Sequence, residues 1–361
     1  MKKIILSGLF PEEICEKLNI SQQFRGKQIF KWISKGVSDF SQMTNLSSAL
    51  REELSQKAEI FSSKIGTVLK DPDGTIKLQI LLEDDFAVET VLLTDSKNRK
   101  TACVSCQVGC PMNCAFCQTG KIGFARNLTC AEIVEQFLFL EKEAGPLDNI
   151  VFMGMGEPML NLEAIRKAIA ILSSKDGREL SKKRITISTS GIIKGIYDLA
   201  DNGPKIRLAV SLTTADEELR KRLMPCTNTN PLSELKKAVK YYAEKTGKRV
   251  TLEAALFHDT NTGKRVTLEA ALLSGENTKK ESAQKMIEFA KDSDVNINLI
   301  PWNPVETLPF KEPSKAECEN FISILEKHSL NVTLRKRRGR KIGGACGQLG
   351  KSVGNFKKEN N

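Results

Sequence analysis

The chain has 361 residues, 40% of them apolar, which is ordinary for a soluble globular protein and enough for one large domain with an appendage. No apolar run reaches bilayer-spanning length, and the opening MKKIILSGLFPEE turns acidic after ten residues; both argue against a membrane or secreted protein, and a cytoplasmic one is expected. The formal charge of +11 favours a polyanionic partner and is silent on fold.

Residues 1–58 read as a small helical domain. Phe24, Ile29, Phe30 and Ile33 recur at helical spacing, and Leu50, Leu54 and Ala58 do so again after the capping stretch TNLS. Arg25, Lys27, Lys31 and Lys35 interleave with the first stripe, which suits either a solvated face or a nucleic-acid surface. Over residues 59–98 the period becomes extended, in GTVLK, TIKLQILLE and AVETVLL, and Asp71-Pro72-Asp73-Gly74 supplies a hairpin turn between the first two. A short β extension is expected there. Glu89 lies on its last strand, where a glutamate is ordinarily an exposed polar residue.

The next stretch, CVSCQVGCPMNCAFC (103–117), contains the C-x3-C-x2-C run Cys110, Cys114, Cys117. Three thiols on one short loop suit an iron-sulfur cluster with one iron left open for another ligand. Structural zinc would want a fourth ligand, and the chain offers only the isolated His258 and His328. Residues 99–345 then alternate short apolar strands with amphipathic helices. Thr129 with Glu132 forms a capping box, and NIVFMG, RITISTSG, KIRLAVSL, RVTLEAAL, NINLIP and NVTLR are the strands. That alternation predicts an α/β fold with a parallel sheet curled into an open barrel, its ligands at the carboxyl ends of the strands. Gly154-Met155-Gly156-Glu157-Pro158 directly follows one such end, where glycines allow close backbone approach and a carboxylate can meet an ammonium group. TGKRVTLEAAL occurs twice, at 246–256 and 262–272, so one copy should take the strand and the other bulge out, with 257–261 in the joint. Arg335 to Lys341 reads RKRRGRK, six basic residues in seven, a clamp for phosphates or a solvated tail.

At the cysteine run the chain resembles the radical S-adenosylmethionine (SAM) superfamily. Further matches at FRGKQIFKWISKGV (24–37), CVSCQVGC (103–110), FMGMGEP (152–158), LIPWNP (299–304) and ACGQL (345–349) make it similar to the RlmN family of dual-specificity RNA adenine-C2 methyltransferases, over almost the whole length. The resemblance implies a partial parallel β/α barrel of the radical SAM type over 99–345. An RNA-contacting accessory domain would occupy 1–58, the β extension 59–98, and a segment carrying the methyl-carrier cysteine 346–361. It further implies one 4Fe-4S cluster on Cys110, Cys114 and Cys117. SAM, two per turnover, would be held by Gly156, Glu157, Ser188, Ser211, Leu212, Thr213 and Asn303. Relatives commonly carry histidine where this chain has Thr213, so an imidazole contact is not available here.

By the same resemblance, the reduced cluster passes an electron into SAM and releases a 5′-deoxyadenosyl radical. Cys346 carries a methyl group from a first SAM, loses hydrogen to the radical from a second, and bonds to adenine C2. Glu89 removes the C2 proton, and Cys103 resolves the protein-RNA adduct, leaving a Cys103–Cys346 disulfide. The implied partners are 23S rRNA, tRNA and an electron donor such as flavodoxin, with the protein a monomer. Cys106 has no role, and Cys15, Cys130, Cys226 and Cys318 read as structural thiols. The alternatives are C8 methylation as in the related Cfr group, a radical SAM enzyme that activates a protein partner, or a non-catalytic iron-sulfur RNA-binding protein.

Overall fold

The computed structural model describes residues 2–247, 266–291, 295–335, 337–351 and 353. Its centre is a ten-stranded sheet. Seven strands run parallel: Lys100–Cys103, Asn149–Phe152, Ile185–Thr189, Arg207–Ser211, Val266–Leu272, Val295–Pro301 and Asn331–Leu334, in that spatial order. Ile150, Ile187, Leu208, Ile297 and Leu299 on these strands are fully buried, as expected of parallel strands with both faces covered. The sheet stays open, with Lys64–Lys70 at one edge and Asn331–Leu334 at the other. All six strands expected after the cysteine loop are present. The second copy of the duplicated segment forms the strand Val266–Leu272; the first copy from residue 248, the joint 257–261 and His258 lie outside the described residues.

The β extension continues the same sheet. Strands Lys64–Lys70, Ile76–Leu81 and Ala87–Thr94 are antiparallel, and the last pairs with Lys100–Cys103, so hydrogen bonds cross residues 98 and 99 without a break. Asp71 to Gly74 makes the expected turn, with Asp71 N–H on Thr75 O at 2.8 Å and Gly74 at φ +85°.

The amino-terminal helices are Pro11–Leu18, Gln23–Ile33 and Ser48–Lys57, the last capped by Ser47. Ile29, Phe30 and Ile33 are buried as the spacing predicts. Phe24, placed on the same stripe, is instead 54% exposed, because at about 3.6 residues per turn it points away from the face that buries Gly26, Ile29, Phe30 and Ile33. Ala58 likewise leaves the helical stripe: it starts a two-residue strand that pairs with Ile4–Ile5.

A buried carboxylate docks this module on the barrel. Glu135, on helix Cys130–Ala144, accepts hydrogen bonds from Ser7 Oγ at 2.6 Å, Ser62 N–H at 2.8 Å, Ser63 N–H at 2.9 Å and the Ser62 and Ser63 hydroxyls. Burial raises its pKa against these bonds, which favour the ionised form. Glu135→Ala would strand several buried donors at once and is expected to lower stability by about 3 kcal/mol, read as an earlier urea midpoint.

Candidate active site

The parallel strands deliver their carboxyl ends to one cavity. It is lined by Gly154, Gly156 and Glu157 after Asn149–Phe152, by Ser188 to Ser190, by Ser211 and Thr213, by Ala271, and by Ile300, Trp302 and Asn303. Cys110, Cys114 and Cys117 face the same cavity from the loop across its mouth. A two-stranded hairpin, Gln107–Gly109 with Phe124–Asn127, brackets that loop. Gly109, at φ +75°, allows the closure: a Cβ there would stand 2.0 Å from Gly123 O. The loop is also pinned to the barrel, by Ala115 N–H on Leu223 O at 2.8 Å and by Trp302 Nε1–H on Phe116 O at 2.9 Å. Burial pushes all three thiols above the ordinary cysteine range, so a bound cation would have to supply the charge that holds them as thiolates.

Most of the residues expected at SAM surround this cavity; Leu212 is the exception, its side chain buried in the core at 1% exposure. Glu157 is almost fully buried. One oxygen accepts from Met159 N–H at 3.0 Å, the other from Ser190 N–H at 2.7 Å and Ser190 Oγ at 2.8 Å. The carboxylate thus ties the glycine turn to the neighbouring strand end and keeps limited capacity for a ligand. Burial raises its pKa, and these hydrogen bonds oppose the shift. Thr213 sits at φ +62°, a strained conformation for a β-branched residue. Asn277 Nδ2–H holds its carbonyl at 2.9 Å.

Cys346 joins this cavity to a second one. The second is lined by Cys103, Met153, Ile300, Asn303, Arg335, Arg337, Arg338, Ala345 and Cys346, so Cys346 and Asn303 stand in the shared wall. The chain carries Cys346 there by turning back from the edge strand Asn331–Leu334. Its loop is fixed by Gln118 N–H on Gly347 O at 2.8 Å, Thr119 Oγ1–H on Leu349 O at 2.7 Å and Asn303 Nδ2–H on Cys346 O at 3.2 Å. Cys103 and Cys346 are both free thiols. Cys103 is buried, and its pKa is pushed up to about 12 by burial first and by the neighbouring Cys346 second. Iodoacetamide at neutral pH is therefore expected to label the exposed Cys346 at least about tenfold faster than Cys103, as mapped by peptide mass spectrometry.

Glu89 is not the exposed residue its strand position suggests. It is fully buried, 2.9 Å from Lys77 Nζ, and accepts the Gly350 N–H at 2.6 Å. It lines neither cavity. The basic block is no solvated tail either: Arg335, Arg337 and Arg338 border the second cavity, and Arg337 and Arg340 both pair with Glu312.

Comparison with known proteins gives the architecture a family. The profile of the Radical SAM superfamily matches residues 104–270, and that of the ribosomal RNA large subunit methyltransferase N-terminal domain matches residues 12–60. A probable dual-specificity RNA methyltransferase RlmN of Treponema denticola is 59% identical over 351 residues, covering 97% of this chain and 96% of the relative. Its counterpart in Treponema pallidum (strain Nichols) is 54% identical over 349 residues, covering 97% and 98%. The chain belongs to the RlmN family. A crystal structure of a radical SAM methyltransferase from Sphaerobacter thermophilus superposes with TM-score 0.87 at 36% identity, over 96% of this chain and 99% of that one.

As an RlmN-family protein the chain is a radical SAM enzyme that methylates RNA, and membership implies a 4Fe-4S cluster and SAM. The residues present fit both. The donor set at the cavity mouth is three cysteines. Among the described residues no three His, Cys, Asp or Glu side chains converge on a single metal ion, and a cluster that would take the three thiolates on three different irons does not require that they do. Asn303 Oδ1 is buried in the shared wall with no hydrogen-bond partner, an acceptor that a ligand's amino group would satisfy.

Two structural features of this RlmN-family site escape the sequence reading. Lys100–Cys103 is a strand paired with Asn149–Phe152, which puts Cys103 at a strand end; four residues beside a cysteine loop carry too little periodicity to show it. Arg220, on helix Glu217–Leu223, is fully buried and donates to Ser190 O at 2.7 Å, Leu212 O at 3.0 Å, Ser211 O at 3.1 Å and Thr227 Oγ1 at 2.6 Å. It laces two strand ends together, yet in sequence it is one more helical arginine, normally a surface residue. No described helix is long and apolar enough to cross a membrane.

Proposed function

We propose that the chain methylates carbon 2 of an adenosine in 23S rRNA and of an adenosine in the tRNA anticodon loop, through an S-methylcysteine on Cys346 and a transient protein-RNA adduct. The observation that carries this reading is Cys346 in the wall common to the cysteine-rich cavity and the cavity of Cys103. A 4Fe-4S cluster on Cys110, Cys114 and Cys117, with SAM against Gly156, Glu157, Ser188, Ser211, Thr213, Asn303 and the Leu212 backbone, would supply the radical route that an electron-poor amidine carbon requires.

The chain's own groups do the rest. Cys346 sulfur takes a methyl group; once that methyl has lost a hydrogen atom, its carbon bonds to adenine C2 and joins protein to RNA. Glu89 receives the C2 proton, through water or after the segment at Gly350 moves, because its oxygens are engaged by Lys77 and Gly350. Cys103 then gives up its proton and attacks the Cys346 sulfur, and the sulfur-carbon bond breaks with its electron pair on carbon. That carbon takes up a proton to complete the methyl group, and the methylated RNA leaves behind a disulfide for an external dithiol to reduce. The electron that starts each turnover would come from a donor such as flavodoxin, and the adduct would give one electron back as the C2 proton leaves. The protein is proposed to act as a monomer.

RNA is held, in this reading, by two basic surfaces. On the 1–58 domain, Lys27, Lys31, Trp32 and Lys35 border a depression, and the exposed Phe24 on the same helix offers a ring on which a base can stack. At the cavity mouth, Arg335, Arg337 and Arg338 stand where phosphates flanking an extruded nucleotide would pass. Mass spectrometry of digested rRNA and tRNA from a strain lacking its own enzyme tests the proposal. Supplying this chain is expected to restore 2-methyladenosine; 8-methyladenosine in its place would transfer the protein to the Cfr-like reading.

A further inference from the structure

We propose that Lys77 is a positioning residue for Cys346, forming with Glu89 a buried clamp that grips both ends of the loop bearing the thiol. This rests on the reading of Cys346 as the methyl carrier. Lys77 lies on the strand Ile76–Leu81 and Glu89 on Ala87–Thr94. Gln79 is opposite Glu89 in the register, so Lys77 and Glu89 are diagonal neighbours on one face, and their charged atoms meet at 2.9 Å.

Both side chains are shut away from water, at 6% and 0% exposure. A buried ion pair is a poor way to gain stability, since desolvation offsets the attraction unless further hydrogen bonds use the remaining atoms. Here those bonds go to the Cys346 loop. Lys77 Nζ donates to Gly343 O at 3.4 Å, three residues before Cys346, and Glu89 Oε2 accepts from Gly350 N–H at 2.6 Å, four residues after it.

The hairpin tip extends the grip. Asp73 accepts the Gly339 N–H at 2.8 Å through its carboxylate and Arg338 through its carbonyl at 3.3 Å. Gly339 itself, at φ +65°, has room for no Cβ: one would stand 2.7 Å from Thr75 Cγ2. The β extension, at the opposite edge of the open sheet from the strand that launches this segment, thus serves as its seat. Transfer of a carbon unit between sulfur and a fixed base depends steeply on placement, so Lys77, which lines neither cavity, can govern coupling through the loop it holds without itself touching a reactant.

The test uses the full-length chain with three variants, Lys77→Met, Lys77→Arg and Lys77→Met/Glu89→Gln. Hydrogen exchange is followed over residues 339–351, together with 5′-deoxyadenosine release without RNA and methylated adenosine formed with it. Lys77→Met is expected to lose exchange protection in that segment and to lower RNA methylation about tenfold or more, with SAM cleavage held within about twofold. Lys77→Arg, which keeps the charge and donors, is expected to restore coupling. Unchanged exchange, or an equal fall in cleavage and methylation, overturns the proposal. If Lys77→Met does not fold, the charge-free double variant is judged on exchange alone: lost protection in 339–351 supports the clamp, and retained protection overturns it. Should Cys346→Ala still methylate RNA, the methyl-carrier reading falls, while the exchange result still decides whether the clamp exists.

Discussion

Cys346→Ala is expected to abolish RNA methylation, by at least about three orders of magnitude, while leaving the iron and sulfide content of the reconstituted protein unchanged. The separation follows from where the residue sits. Cys346 belongs to a loop whose backbone carbonyls are held by Gln118 N–H and by the Thr119 and Asn303 side chains, whereas the three loop cysteines are positioned by Gly109, Leu223 and Trp302. Removing one exposed sulfur leaves those supports in place, so the change should delete a reactant rather than the scaffold. Liquid chromatography of digested RNA reads the loss; iron analysis and the visible absorption of the cluster read what remains. Methylation surviving at even a tenth of the parent rate would rule out a methyl group relayed through this thiol.

The second large effect is accumulation of a trapped intermediate. Cys103→Ala is expected to stop turnover after a single event and leave the protein covalently joined to its RNA, a species of higher mass on a denaturing gel that ribonuclease returns to the protein position. Cys103 and Cys346 line one cavity and Cys106 lines neither; the other thiols facing Cys346 are Cys110, Cys114 and Cys117, which the cluster would hold, so among the described residues no spare thiol is placed to take over. The Cys103 thiol, pushed up to about 12 by burial and by Cys346, is protonated at rest. In the adduct Cys346 is a thioether without charge and burial alone still opposes ionisation of Cys103, so attack has to be accompanied by removal of its proton, and RNA release should quicken as pH rises through neutrality. A Cys103→Ala enzyme that turns over normally with no adduct would remove the resolving step from the mechanism.

Much of this was legible before any coordinate. The cysteine spacing, the glycine turn after an apolar strand and the alternation of period along residues 99–345 each follow from local chemistry, and the sheet contains every strand that the alternation demanded. The helix starts at Ser47 and Thr129 were equally plain, because a cap is a contact between residues three apart. Exposure was less so. Phe24, grouped with Ile29 by spacing, lies on the far side of the helix from the buried positions, and Glu89, whose strand position by itself suggests an exposed residue, is covered by Lys77 and the segment at Gly350.

What sequence determined alone was chemical capacity: three thiols on one loop, a basic block, two outlying cysteines and the fold class that could hold them, all encoded in residue type and short spacing. Tertiary structure alone decided adjacency. Cys103, Cys110 and Cys346 meet around joined cavities because a strand invisible in sequence ends at Cys103, and because the last segment crosses the open sheet to a hairpin 266 residues away, where Lys77 and Glu89 receive it. Contacts at such separation depend on the register of a whole sheet, which no local window records.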